Sequence, residues 1–230
     1  TSVITAVTAQ NTQGVLGLLE LPPELVAQQI EAITIDIGAD AVKTGMLASA
    51  AIVRVVAEKV REHRLPNLVV DPVMVAKDGT RLLAEDAVAA LRELLLPLCT
   101  VVTPNIAEAE ALIGRSLESE EDLRRAAAEI IGWGARSVII KGGHRPGPAV
   151  DLFYDGQDFR RLESERVDTP HTHGIGCTFA AAIAAGLAKG AGLQQAVAEA
   201  KAYVTEALRH AYAVGRGQGP LHHFYRWWGT

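Results

Sequence analysis

The chain lacks most features that would place it outside a reducing cytosol or on nucleic acid. Two cysteines among 230 residues, Cys99 and Cys177, are too few for a disulfide framework. Lysine and arginine number 22 against 27 acidic residues, a net charge of −5. That balance argues against broad nucleic-acid binding and leaves room for a local positive site that holds a phosphorylated small molecule. No apolar run reaches the length of a membrane span, and no basic-then-apolar stretch opens the chain. Neither common nucleotide fingerprint is present. GADAVKTG at 38–45 has Val42 where a phosphate loop needs its second glycine, and Phe179 stands where a dinucleotide fingerprint needs its third. There is no internal repeat, low-complexity tract or linker, so a single domain is expected.

What is present is an alternation of β-branched runs with amphipathic helices, on a chain that is 49% apolar. Val3, Ile4, Ala6 and Val7 read as a buried strand from almost the first residue. A central strand with so little lead-in implies a missing upstream segment or a place at a sheet edge. Pro22 and Pro23 open a helix whose Val26, Ile30, Ile33 and Ile37 share a face, with Gly38 at its end. AVKTGML (41–47) is strand then loop, and Ile52, Val56 and Val60 mark a second helix. LVVD (68–71) and TVVT (100–103) are buried strands stopped by Pro72 and Pro104, with a helix carrying Val88, Leu91 and Leu95 between them. Ser119 and Asp122 start a capped helix that buries Leu123, Ala127, Ile130 and Ile131. SVIIKGG (137–143) is a strand, 149–167 a hairpin turning at Asp155–Gly156, and 175–189 and 193–212 two final helices. The pattern predicts an α/β fold whose parallel sheet is covered on both faces. In such sheets ligands bind beyond the carboxyl ends of the strands.

That rule sorts the candidate residues. HTHGIGCT at 171–178 opens a helix with two glycines and a cysteine. Gly174 and Gly176 permit unusual backbone shapes, and a helix start offers free N–H groups and a favourable dipole to an anion. Cys177 in that first turn is expected to have its thiol pKa lowered, from about 8.5 into the range of about 3.5–7.5. The competing reading is a tight strand-to-helix turn with a small buried cysteine. His171, His173 and Cys177 lack a fourth ligand for zinc. Asn105 and Glu108 in TPNIAEAE fit an ordinary capping box, yet lie past a strand end, where Glu108 could hold Mg²⁺ through water. Asp71 ends an apolar strand at the same edge, where an unpartnered carboxylate is costly. Lys141 before Gly142 and Gly143 suits a phosphate or solvent equally. Gln10 offers paired donors and acceptors for a ring, and Met46 a flexible apolar wall or core filler.

Taken together, SVITAVTAQNT, VKTGML, DPVMVAKDG, TPNIAEAEAL, KGGH, HTHGIGCT and GPLHHFYRWW resemble the hydroxymethylpyrimidine/phosphomethylpyrimidine kinase family of thiamine biosynthesis, in order and spacing from about residue 2 to residue 228. Cys177 stands where the wider ribokinase-like superfamily usually has aspartate. The resemblance implies a three-layer α/β/α sandwich with a mostly parallel central sheet. It implies ATP- and Mg²⁺-dependent phosphorylation of 4-amino-5-hydroxymethyl-2-methylpyrimidine, then of its monophosphate. It implies that Gln10, Met46 and Val73 contact the pyrimidine, and that Gly174, Ile175, Gly176 and Cys177 form an anion hole with Cys177 as base. Asn105, Glu108 and Asp71 would organise metal and phosphates, and Lys141 would neutralise ATP. It implies a cytoplasmic homodimer with small-molecule partners only. Residues 1–230 would be one such domain, beginning after the family's N-terminal strand and glycine-rich segment. Ile175 replaces the usual threonine. Two alternatives stand beside this reading: a pyridoxal or pyridoxine kinase, and a ribokinase-like module that binds pyrimidine or nucleotide with little turnover.

Overall fold

The structure is a computed structural model that describes residues 1–76, 79–80, 82–143 and 147–228. A hairpin of β1 (Ala6–Gln10) and β2 (Val15–Glu20) leads into α1 (Pro23–Thr34), β3 (Val42–Thr44), α2 (Ala50–Glu62), β4 (Leu68–Val70) and α3 (Glu85–Ala90). Then come β5 (Val101–Val102), α4 (Ile106–Ile113), α5 (Glu120–Gly132) and β6 (Val138–Lys141). The chain closes with the β7 (Ala149–Tyr154) and β8 (Phe159–Ser164) hairpin, α6 (Ile175–Ala188) and α7 (Leu193–Arg209). α3 runs on through a π turn at Leu91–Leu95 and a 3₁₀ turn at Leu96–Leu98.

The central sheet has the order β3-β4-β5-β6-β7-β8. Its first four strands are parallel, and β7 and β8 return antiparallel across the turn at Asp155–Gly156. One apolar cluster joins α1 to α5 to one face, through Leu68, Val70, Val102, Val138 and Ile140. A second joins α6 and α7 to the other face, through Val69, Val101, Ile139 and Phe153. Alternate residues of one strand therefore feed opposite layers, as the pleat requires. This is the three-layer α/β/α sandwich, with the sheet as the middle layer.

Local chemistry sets the helix ends. Ser119 and Asp122 form the expected capping box of α5, and Asn105 and Glu108 form a second one on α4. Pro23 occupies the first turn of α1, where its missing N–H costs nothing.

Two expectations are corrected. The first strand is not buried in the main sheet. β1 pairs only with β2 in a separate two-stranded sheet, and Val7 is 54% exposed. Its apolar residues reflect a surface that protein covers only in part. Ile37 does not share the buried face of Val26 and Ile30 either. α1 ends at Thr34, the turn that follows rotates the chain, and Ile37 faces solvent.

Candidate active site

The strand pleat builds the site. Ala41 just before β3, with Val69, Val101 and Ile139 in β4 to β6, packs toward α6 and α7. Two residues on, where each strand ends, stand Lys43, Asp71, Thr103 and Lys141. Period-two alternation carries them to that same face, and the parallel ladder sets them side by side. Asp71 N–H donates to Thr44 O (3.1 Å) and Thr103 N–H to Val70 O (2.9 Å). Lys141 N–H donates to Pro104 O at 2.8 Å.

Asp71 is the hub, only 2% exposed. Its Oδ1 accepts from Lys141 Nζ at 3.0 Å and from Thr103 Oγ1 at 3.3 Å, and Lys43 Nζ lies 3.7 Å from Oδ2. Lys141 Nζ is also 3.9 Å from Glu108 Oε2. Desolvation alone would lower the Lys141 pKa; the Asp71 and Glu108 carboxylates outweigh it and hold the ammonium above its ordinary value. It stays charged at neutral pH. Burial pushes Glu108 up, against Lys141 and the Asn105 N–H, with Asp71 adding to the rise. Glu108 Oε2 accepts from that N–H at 2.7 Å. A carboxylate destabilised by burial suits a hard cation such as Mg²⁺.

α6 enters from the opposite layer. Gly174 takes φ +86°, a left-handed shape that favours glycine, and no side chain caps the helix. Its first-turn N–H groups are left for an anion. Gly176 is needed for close approach, because a Cβ there would sit 3.0 Å from Lys141 Nζ and 3.9 Å from Asp71 Oδ2. The helix start, two lysines and the carboxylate hub thus form one wall, whose N–H and ammonium donors suit phosphate oxygens.

Cys177 departs from expectation. Its thiol lies above its ordinary pKa, not below it. Desolvation is the largest cause; Lys43 and Lys141 oppose it, while Asp71 adds both its charge and a hydrogen bond from the thiol. The residue is solvent-accessible. A helix start and nearby cations lower a thiol pKa; here desolvation and the Asp71 carboxylate outweigh them.

The structure therefore brings together Asp71, Asn105, Glu108, Lys141, Gly174, Ile175, Gly176 and Cys177. The three expected ring contacts lie on other elements. Gln10 ends β1 and is exposed, Met46 follows β3 and accepts a hydrogen bond from Thr5 Oγ1 at its carbonyl (2.8 Å), and Val73 follows β4. Lys43 was set aside with its imperfect phosphate-loop motif, yet it belongs to the cluster. The usable signal was a lysine inside an otherwise apolar strand, two residues past the inward-facing Ala41. Thr103 was passed over in the same way. His171 Nδ1 accepts from Gly219 N–H at 3.1 Å. Among the described residues His171, His173 and Cys177 do not gather as metal ligands. His144 of KGGH, and Lys77 and Asp78 of DPVMVAKDG, lie outside the described residues.

Sheet order, layers and the cluster of lysines, carboxylates and helix N–H groups at the strand ends define a ribokinase-like small-molecule kinase. The profile of the phosphomethylpyrimidine kinase family matches residues 1–222. The chain is 47% identical to the hydroxymethylpyrimidine/phosphomethylpyrimidine kinase of Bacillus subtilis, over 97% of this chain and 83% of that protein. It is 51% identical to the thiamine biosynthesis bifunctional protein ThiED of Geobacter sulfurreducens, over 96% of this chain; it spans only 46% of that longer protein. Among solved structures, an ADP complex of Bacillus subtilis pyridoxal kinase superposes with a TM-score of 0.89 at 39% identity, covering 96% of this chain and 85% of that one. The phosphomethylpyrimidine kinase of Clostridium difficile gives 0.80 at 40% identity, covering 90% and 86%. The chain belongs to the phosphomethylpyrimidine kinase family.

Proposed function

We propose that this chain transfers the γ-phosphoryl group of ATP to 4-amino-5-hydroxymethyl-2-methylpyrimidine, then to the resulting monophosphate, in thiamine biosynthesis. The observation that carries the reading is the convergence of Lys43, Asp71, Thr103 and Lys141 on the uncapped start of α6. Phosphoryl transfer asks mainly for positioning and charge neutralisation, and this wall supplies both. Lys141 and Lys43 neutralise phosphate oxygens, and the N–H groups after Gly174 hold the transferred group. Asp71 keeps Lys141 in place, and Asn105 orients Glu108 through the α4 capping box. Mg²⁺ held near Glu108, largely through water, would offset charge between the phosphates. Asp71 already accepts from Lys141 and Thr103, so it serves better as the lysine's anchor than as a metal ligand.

The raised thiol gives Cys177 a different part from that of a preformed thiolate. The acceptor hydroxyl passes its proton to Sγ as the thiol proton passes to Asp71, so the pair acts as one base. Gln10, Met46 and Val73 surround the ring. We read residues 1–230 as one kinase domain that works in the cytoplasm as a homodimer with small-molecule partners. The unpaired state of both cysteines supports that compartment, and no described helix is long and apolar enough to cross a membrane.

ADP release with ATP and Mg²⁺ tests the reading, with hydroxymethylpyrimidine, its monophosphate and pyridoxal compared as acceptors. Turnover on both pyrimidines, each faster than on pyridoxal, is expected. Folded protein that turns over neither pyrimidine, or that prefers pyridoxal, would overturn it.

A further inference from the structure

The segment GRGQGP at 215–220 lies far along the chain from both the β1–β2 hairpin and the loop that opens α6, yet it touches both. On one side it holds the tip of the β1–β2 hairpin. Gly217 N–H donates to Thr12 Oγ1 at 3.1 Å, and Gln218 N–H donates to Thr12 O at 2.8 Å. On the other side it holds the loop that opens α6. Gly219 N–H donates to His171 Nδ1 at 3.1 Å, and His173 N–H donates to Gly219 O at 3.1 Å. His173 forms an isolated parallel bridge with Pro220, directly before Gly174. The glycines make these approaches possible. A Cβ on Gly217 would fall 1.9 Å from Thr12 O and 2.4 Å from its carbonyl carbon; one on Gly219 would fall 2.7 Å from Tyr212 O and 2.8 Å from His171 Nδ1. A contact with backbone atoms cannot be relieved by turning a side chain.

We propose that the segment 215–220 is a clasp. It fixes the hairpin that carries Gln10 relative to the anion-binding turn at Gly174, with Thr12, His171, Gly217 and Gly219 as positioning residues for the acceptor. A two-stranded hairpin is marginal alone in water, and β1 and β2 form a sheet separate from the main one. The base of the hairpin is tied to the main body, with Thr5 Oγ1 donating to Met46 O at 2.8 Å, so the place of Gln10 near the tip depends on what holds that tip. Thr12 lies two residues beyond Gln10, and His173 one residue before Gly174, so the clasp joins the hairpin and that loop across its own few residues. The nucleotide side, built on β6 and α4, has no part in it.

The inference rests on the assignment of Gln10 to the acceptor, and the test separates the two. Gly217→Ala is expected to lower kcat/KM for the pyrimidine roughly tenfold to a hundredfold, because a displacement of about 1 Å suffices for that, while KM for ATP holds. Backbone hydrogen exchange at 5–20 and 171–178 is expected to rise. Thr12→Val, a milder change, is expected to move the same quantities in the same direction, and Thr12→Ser, which keeps the acceptor oxygen, to restore them. A KM for ATP that rises in step with the pyrimidine's loss would mark a merely structural role and overturn the proposal. Unchanged exchange in both segments would overturn it whatever the kinetics. Gln10→Ala reads the assignment by itself: it should lower the pyrimidine's kcat/KM with exchange unchanged. If Gln10→Ala has no effect, the acceptor role of the clasp falls with that assignment.

Discussion

At the scale of single residues the site is a balance between one buried carboxylate and the groups that share it. Gly176→Ala would place a methyl group 3.0 Å from Lys141 Nζ, the far end of a flexible side chain. A shift of a few tenths of an ångström relieves the contact and keeps the pair with Asp71, so the melting temperature should hold while turnover falls by at least tenfold, the scale of misplacing one aligned charge contact. Equal losses of stability and activity would show that the glycine serves packing instead. The two thiols should separate chemically. Cys99 is buried and pushed up to about 12, so it should resist alkylation until the protein unfolds, while the accessible Cys177 reacts in the native state. Its rate should keep rising with pH beyond the ordinary thiol midpoint, because the folded pKa is raised and the thiolate forms only above it. A thiol half-ionised below pH 8 in the native protein would sink this account of Asp71. Cys177→Ala should slow phosphorylation of the hydroxymethyl compound more than that of the monophosphate, whose acceptor is already an anion and needs little base. Separate rates for the two acceptors decide that point.

At the scale of elements, the packing of α6 on α7 decides where the anion-binding turn sits. Gly186 in α6 faces Ala196 in α7, and a Cβ there would lie 2.9 Å from the Ala196 Cβ and 3.2 Å from its Cα. Alanine gains roughly 1 kcal/mol of helix propensity over glycine, but overpacking two backbones costs about 1–3 kcal/mol, so Gly186→Ala should lower the melting temperature. Gly132 in α5 has nothing within 4 Å of its Cβ position, so Gly132→Ala should raise it. Thermal melts of the two variants should therefore move in opposite directions; a shared direction would mean that propensity or packing alone decides. The alternation of strands and helices, both capping boxes and the turn at Asp155–Gly156 were legible in the sequence because each is set by a few adjacent residues. Asp71 and Lys141 were legible because a charge at the end of an apolar strand is conspicuous, and Glu108 because it caps a helix with Asn105 just past such a strand. Lys43 and Thr103 were not, since their meaning comes from the register that lays four strand ends side by side. The Cys177 thiol was misjudged for a related reason: its helix turn is local, whereas the desolvation that raises it, and the Asp71 carboxylate that adds to the rise, come from tertiary packing.

At the scale of the whole molecule, the two-stranded sheet stands apart from the sandwich and carries apolar residues on the outside. Val7 and Leu19 are register partners, 54% and 67% exposed, and Leu16 on the same hairpin is 80% exposed. Isolated exposed leucines are ordinary, but a cluster of them on a marginal hairpin marks a surface that something covers. A second copy of the chain is the simplest cover, since a two-fold axis would set the same patch against itself and bury both hairpins at once. The clasp at 215–220 would then fix the inner side of the hairpin while the partner fixes its outer side. Sedimentation velocity should give a particle of about twice 24.4 kDa. Leu19→Glu should shift it toward the monomer, because two carboxylates would meet across the axis with no counter-charge. The same variant should weaken the pyrimidine more than ATP, since the hairpin carries Gln10 and the nucleotide side lies elsewhere. A wild-type monomer at micromolar concentration, or a Leu19→Glu protein that stays dimeric, would remove this face from the account and leave the hairpin dependent on its clasp alone.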